Sequence, residues 1–207
     1  MTLRDISVAL DESTPEWPGD TPFTCGWPSQ MAKGASVNVS AVTMSLHVGT
    51  HADAPLHVRD GWPASDALPL DAFMGPALVC SVSGPERELE LDDLPGLPDG
   101  RIERLLLRSG RTIIGGKFPV SWPALSTRVV NELLGRGLRL LGVDAPSVDL
   151  RYSKTLEVHH ALFAAGAYNL ENLDLSAVED GAYELVALPM RVRGLDAAPV
   201  RAALRAL

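Results

Sequence analysis

Three of the five histidines and one aspartate fall within eleven residues, at His47, His51, Asp53 and His57 of the stretch SLHVGTHADAPLHV (Ser45–Val58). Imidazole nitrogen and carboxylate oxygen suit borderline divalent metals such as zinc and manganese, and an open catalytic site takes about three such ligands with a position left for water. His47, His51 and Asp53 supply that number. A helix would place His47 and His51 on one face, but Gly49 and Pro55 flank the pair and no glutamate lies between them. The stretch therefore reads as strand running into loop. All four polar residues share odd parity, which sends them to one face of an extended chain. A straight strand would hold His47 and His51 roughly 13 Å apart at about 3.3 Å per residue, too far to chelate one ion. The chain must bend, and Gly49, free to take positive φ, is the place. A closed structural zinc site fits less well, because neither Cys25 nor Cys80 is near and thiolates are common structural ligands.

The elements that must deliver these groups can be read from patterning. Leu3 to Leu10 alternates as a first strand, and DESTPEWPGDTP follows as a turn-rich loop carrying Trp17. On the residues alone Trp17 staples that loop to the core. SVNVSAVTMSLHV (residues 36–48) predicts a long strand with His47 at its end. The segment after the motif is loop-like, and its Trp62 covers the core. Ala77 to Val82 and Arg104 to Arg108 read as strands, Ser126 caps a helix through Leu134 ended by Gly135 or Gly137, and Leu138 to Val143 returns as a strand. Strand, helix, strand predicts a parallel crossover in an α/β domain, a mixed β-sheet flanked by helices.

A second informative stretch is SKTLEVHHALFAAGAYNLENLDL. Thr155 to Ala165 reads as a helix stopped by Gly166, with Glu171 on the extended segment beyond. Adjacent histidines point about 100° apart on a helix, so one of His159 and His160 faces a site while the other packs or is solvated. Leu156, His160 and Phe163 follow one apolar stripe, which favours His160 as the structural one. Asp144 and Asp149, in GVDAPSVD, cap turns by default or orient a ligand histidine. Gly181 to Met190 predicts a further strand, with the tail packed against the sheet.

With 207 residues, 46% hydrophobic and 21% charged, the chain suits a single domain (residues 1–207) with a sizeable core. A net charge of -8 and a pI near 5.1 argue against nucleic-acid or anionic-membrane binding. Two cysteines give no disulfide framework, the start lacks a basic segment followed by an apolar core, and no apolar run approaches 18 residues. The expectation is a cytoplasmic protein.

HVGTHADAPLH (His47–His57) resembles at every fixed position the signature HxGTHxDxPxH of the metal-dependent cyclase-like hydrolases, a family that includes bacterial arylformamidases. WPGD, VDAPSVD, the HH…E segment and the GxDxxPxR tail are similar to that family too, so the resemblance spans nearly the whole chain. It implies two divalent ions per subunit, zinc first and manganese second. His47, His51 and Asp53 would hold one, Asp53 and His159 the other, with Glu171 touching both; the residues alone would leave Glu171 on the surface. It implies Trp17 as a substrate contact, with Phe23 and Trp27 weaker candidates for the same wall. His57 matches the family's catalytic histidine, although on residues alone it could be another ligand. A bound divalent ion lowers the pKa of its water toward about 7, giving a hydroxide nucleophile, and an unliganded imidazole can move a proton to a departing arylamine. The implied activity is hydrolysis of an aryl formamide, N-formyl-L-kynurenine in tryptophan breakdown, by a homodimer. A sister hydrolase acting on another amide such as isatin is the first alternative. A metal-stabilised binding protein is the non-enzymatic one, and it would gain nothing from an unliganded His57.

Overall fold

The structure is a computed structural model that describes residues 3–84 and 86–207. Its elements in chain order are β1 (Arg4–Asp5), β2 (Thr24–Ser29), β3 (Val39–Thr43), β4 (His51–Asp53), β5 (Met74–Ser81), β6 (Glu88–Leu89), β7 (Arg104–Arg108), β8 (Ala124–Leu125), α1 (Thr127–Gly135), β9 (Leu140–Val143), α2 (Glu157–Ala164), β10 (Tyr168–Leu170), β11 (Gly181–Val186), β12 (Ala197–Pro199) and β13 (Ala203–Ala206). One mixed sheet runs in the order β1-β13-β11-β5-β7-β9-β10. Neighbours from β5 to β10 are parallel, and β11, β13 and β1 extend the sheet antiparallel.

The parallel strands are apolar on both faces, as a sheet covered from two sides requires. Along β7, Leu105 and Leu107 enter the cluster built with α1, α2 and Trp122, while Leu106 enters the opposite cluster around Phe73 and Leu185. The predicted crossover is β7-α1-β9. Ser126 caps α1 by accepting a hydrogen bond from the Val129 N–H, an interaction worth about 1 kcal/mol in such helices. Gly166, at φ +72°, ends the turn after α2 in a conformation that L side chains rarely adopt.

Several strands are shorter than the patterning predicts. The first is only Arg4–Asp5 with an isolated bridge from Ser7 to Leu173, because the chain then turns through bonds to Thr50 and Thr14. The predicted strand over residues 36–48 ends at Thr43, and His47 lies in a turn closed by Val48 N–H donating to Ser45 O. That strand pairs with β2, a segment with no strand expectation, and the hairpin they form is exposed along both strands except at Ser29. The run from Gly181 stops at Val186, not Met190.

Candidate metal centre

Where the parallel strands β9 and β10 end, the two informative stretches meet. His51 and Glu171, 120 positions apart, exchange backbone hydrogen bonds: His51 N–H donates to Glu171 O at 3.3 Å and Glu171 N–H to His51 O at 3.0 Å. On its other side β4 pairs with β12, Asp53 opposite Ala197. This pairing brings β4 and the end of β10 together at the site.

The bend predicted between His47 and His51 is present. Gly49 has φ +71°, and a Cβ there would meet Leu10 Cδ2 at 2.4 Å. Asn172, itself at φ +55°, latches the bend by donating from Nδ2 to Gly49 O at 3.1 Å, and Thr50 Oγ donates to Asn172 O at 2.6 Å. The result is a compact triangle: His47 Nδ1 to His51 Nε2 is 3.1 Å, His47 Nδ1 to Asp53 Oδ1 3.0 Å, and His51 Nε2 to Asp53 Oδ1 3.2 Å. The other Asp53 oxygen faces α2, where His159 Nε2 lies 3.1 Å from Oδ2 and 3.3 Å from Glu171 Oε1. Glu171 Oε2 is 3.5 Å from His51 Nε2.

The outer nitrogens identify what the inner ones are for. His51 Nδ1 is paired with Gly49 O at 2.9 Å, His159 Nδ1 with Asp149 Oδ2 at 2.6 Å, and His47 Nε2 with Asp196 Oδ2 at 3.0 Å. Histidines that ligate metals donate their outer N–H to a carbonyl or carboxylate in this way, which leaves the other nitrogen's lone pair for the ion. Here three inner nitrogens converge on Asp53, whose fully buried Oδ1 has no hydrogen-bond partner. Three imidazoles and two carboxylates, one of them with an orphaned oxygen, fit a divalent cation, with spacings suited to ligand bonds of about 2.0–2.2 Å.

Charges in the cluster are strongly coupled. Burial opposes protonation of His47, but the Asp196 and Asp53 carboxylates outweigh it and push its pKa up to about 10. Burial likewise opposes the charged form of His159, and Asp149, Asp53 and Glu171 carry its pKa well above the usual imidazole value. Asp196 is held far below the usual carboxylate range, chiefly by its bond to His47. Protein stripped of metal therefore gains stability from His47 that is complete below its unfolded pKa near 6.5 and lost as pH rises through about 10. Metal affinity has the opposite sign, since the ion must displace those protons. Titration calorimetry at pH 7 in buffers of different ionisation enthalpy is expected to read about two protons released, from His47 and His159, with affinity rising as pH rises. Uptake without proton release would place the ion elsewhere.

His57 follows β4 on a one-turn 3-10 helix begun by Pro55. Its Nδ1 lies 3.4 Å from Asp196 Oδ2, and its ring is tilted against His47 at 4.5 Å between centroids. It lines a cleft of about 250 Å³ together with Trp17, Phe118, His47, His159 and Glu171. Trp17 packs edge-on against Phe118 and Trp122, at 5.4 and 5.9 Å, as a residue that staples its loop to the core, and its ring also lines the cleft. Phe23 and Trp27 are not part of that wall; Trp27 is exposed on the β2–β3 hairpin. The stripe through His160 is not the packed face of α2. Val158, His159, Leu162 and Phe163 are buried, while His160 is half-exposed with its ring edge-on to Trp62. Asp149 orients His159, and Asp144 ties the end of β9 to Ser109 and Gly110. Residue type does not single out Asp196, Asn169, Asn172 or Phe118, although Asp196 falls in the GxDxxPxR tail and Asn169 and Asn172 in the stretch that carries His159 and Glu171.

The Cyclase family model matches residues 4–150. A kynurenine formamidase of Bordetella avium (strain 197N) is 40% identical over 205 residues, covering 99% of this chain and 98% of the relative. A solved structure described as a potential metal-dependent hydrolase with cyclase activity superposes with a TM-score of 0.82 at 25% identity, covering 98% of this chain and 96% of the other. Isatin hydrolase A from Labrenzia aggregata, bound to benzyl benzoate, shares the fold with a TM-score of 0.79 at 22% identity, over 99% and 93% of the two chains.

Proposed function

Because the chain belongs to the Cyclase family, we propose that it is a metal-dependent amide hydrolase, a kynurenine formamidase converting N-formyl-L-kynurenine to L-kynurenine and formate in tryptophan degradation. The observation that carries this reading is the set of three imidazoles, each tied at its outer nitrogen, whose inner nitrogens converge on the Asp53 carboxylate, two of them on its orphaned Oδ1 and the third on Oδ2. We assign two divalent ions per subunit, zinc with manganese as the alternative. His47, His51 and Asp53 would hold one, Asp53 and His159 the other, and Glu171 would reach both.

When bound, the cations supply a nucleophile from water near neutral pH and polarise the formyl carbonyl. The chain's own residues do the rest. Trp17 offers its indole to the aryl ring and, with Phe118, keeps that side of the cleft apolar. His57, uncoordinated and steered by Asp196, takes the proton released as the hydroxyl group adds to the formyl carbon. It returns that proton to the arylamine nitrogen as the carbon–nitrogen bond breaks. Water is thus divided, hydroxyl to formate and proton to amine.

The test is formate release from N-formylkynurenine, with isatin ring opening followed alongside, using metal-stripped and zinc-reloaded protein. Formate released only by the reloaded protein supports the assignment. Ring opening without formate release would transfer it to isatin-type amides, and neither product under any condition would remove the hydrolase.

We further assign the working form as a homodimer. An isolated two-stranded hairpin is marginally stable in water, yet β2–β3 stands exposed with Trp27, Val39 and Val42 on its surface and Met31 and Val37 in its loop. A second copy covering that arm supplies the missing burial. Sedimentation is expected to read a dimer, and Val42→Glu a monomer; a monomeric parent would leave the arm without this partner. The assigned compartment is the cytoplasm, in keeping with the free thiols of Cys25 and Cys80. No helix among the described residues is long and apolar enough to cross a membrane.

A further inference from the structure

Asn169 has no part in the scheme above, yet it is fully buried at the centre of the cluster. It lies on β10 two residues before Glu171, so the strand's period of two sends both side chains to one face. Its Nδ2 is 2.7 Å from Asp53 Oδ2, 3.0 Å from Glu171 Oε1 and 3.3 Å from His159 Nε2. An amide nitrogen carries two hydrogens, and the two shorter contacts use both. Turned the other way, the amide would set its oxygen against two carboxylates. As placed, Oδ1 is buried without a partner, an arrangement that is unfavourable in itself and is retained with the two carboxylate contacts at the other end.

Those two oxygens, with His159 Nε2, are the groups assigned above to the second cation. We propose that Asn169 is a positioning residue for that cation: by tying Asp53 to Glu171 through one amide, it sets the spread of their carboxylates and thereby the affinity of the position beside His159. The position at His47 and His51 depends on it less, because the oxygens facing that pair, Asp53 Oδ1 and Glu171 Oε2, are not the ones the amide holds. The inference rests on the two-ion reading and would fall with it.

Zinc titrated into metal-stripped protein against a chelating indicator separates the two affinities. Removing a group that orients a metal ligand costs roughly 10- to 100-fold in affinity, so Asn169→Ala is expected to weaken the second zinc by that factor and leave the first within about threefold. Asn169→Ser, which keeps one donor, should fall between Ala and the parent, and it supports the same comparison if the alanine variant does not fold. Loss confined to one position is the informative result, because general loosening of the core would weaken both together and lower the Tm of the stripped protein in step. Equal weakening, or an unchanged second affinity, overturns the role given to Asn169. A parent protein that takes up only one zinc removes the two-ion reading first and this inference with it.

Discussion

Replacing His57 by Asn is expected to cut turnover by about 10²- to 10⁴-fold, the usual worth of a positioned acid–base group, while zinc content stays at the parental level. Asparagine keeps a polar side chain of similar reach but cannot carry a proton at neutral pH. The effect should fall on kcat and leave KM within a few-fold, because the apolar wall of Trp17 and Phe118 that receives the substrate is untouched. His57 has the geometry for this work: its Nδ1 faces Asp196, so Nε2 is the ring nitrogen left for the substrate. Its ring also lies close enough to Asp53 and His159 to join a ligand set, with the relevant atoms within 4.8 Å of one another. The two roles part on one measurement. If zinc content falls in parallel with turnover in the variant, His57 is a ligand and the proton carrier must be sought elsewhere. A binding protein would show a third pattern, no turnover in the parent and unchanged ligand affinity in the variant.

Two different kinds of information placed the residues of this site. Local patterning located β7, α1 and β9, because the two strands are short continuous apolar runs, α1 buries Val129, Val130 and Leu133 at the helical period, and Ser126 begins the helix with a recognisable cap. The bend at Gly49 followed from chain geometry alone, since two histidines four residues apart cannot share an ion on a straight strand. Patterning failed where stabilisation is not local. Residues 36–48 alternate like one strand, but only Val39–Thr43 pairs, with a partner whose Gly26 and Pro28 interrupt the strand signal of Thr24 and Trp27. Asp196 and Asn169 are single polar residues without spacing relations to the histidine motif. They reach it because β12 pairs with β4 and β10 ends beside it, long-range pairings that no period reports. Glu171 is not legible from residue type, and only the family resemblance singles it out; for His159 the resemblance agrees with helix geometry, which already sends one of the two adjacent histidines to a site. On α2 the apolar stripe pointed to His160, whereas the face that packs is set by what β10 and Asp149 offer, and a buried carboxylate draws His159 inward.

Asp53→Asn is expected to cost more than any other single change, about 10³-fold or greater in kcat/KM, the equivalent of about 4 kcal/mol, together with zinc uptake at both positions. The reason is that no other side chain is shared so evenly. Oδ1 closes the triangle with His47 and His51, and Oδ2 faces His159 and receives the Asn169 amide. Asparagine must put an N–H₂ group at one of these places. At Oδ1 it aims hydrogens at the vertex where two imidazole lone pairs meet; at Oδ2 it opposes the hydrogens of Asn169. Either way the negative charge that would offset the two proposed cations is lost. Asp149→Asn makes the contrast sharp, because Asp149 touches the centre only through His159, at Nδ1 and the backbone N–H, and should cost roughly 10- to 100-fold, on the second position first. Zinc content by atomic absorption and kcat/KM, measured on both variants, decide the ordering. If Asp53→Asn keeps two zinc ions and Asp149→Asn loses them, the carboxylate at the centre is not what joins the pair, and the convergence of the three histidines on it would need another cause.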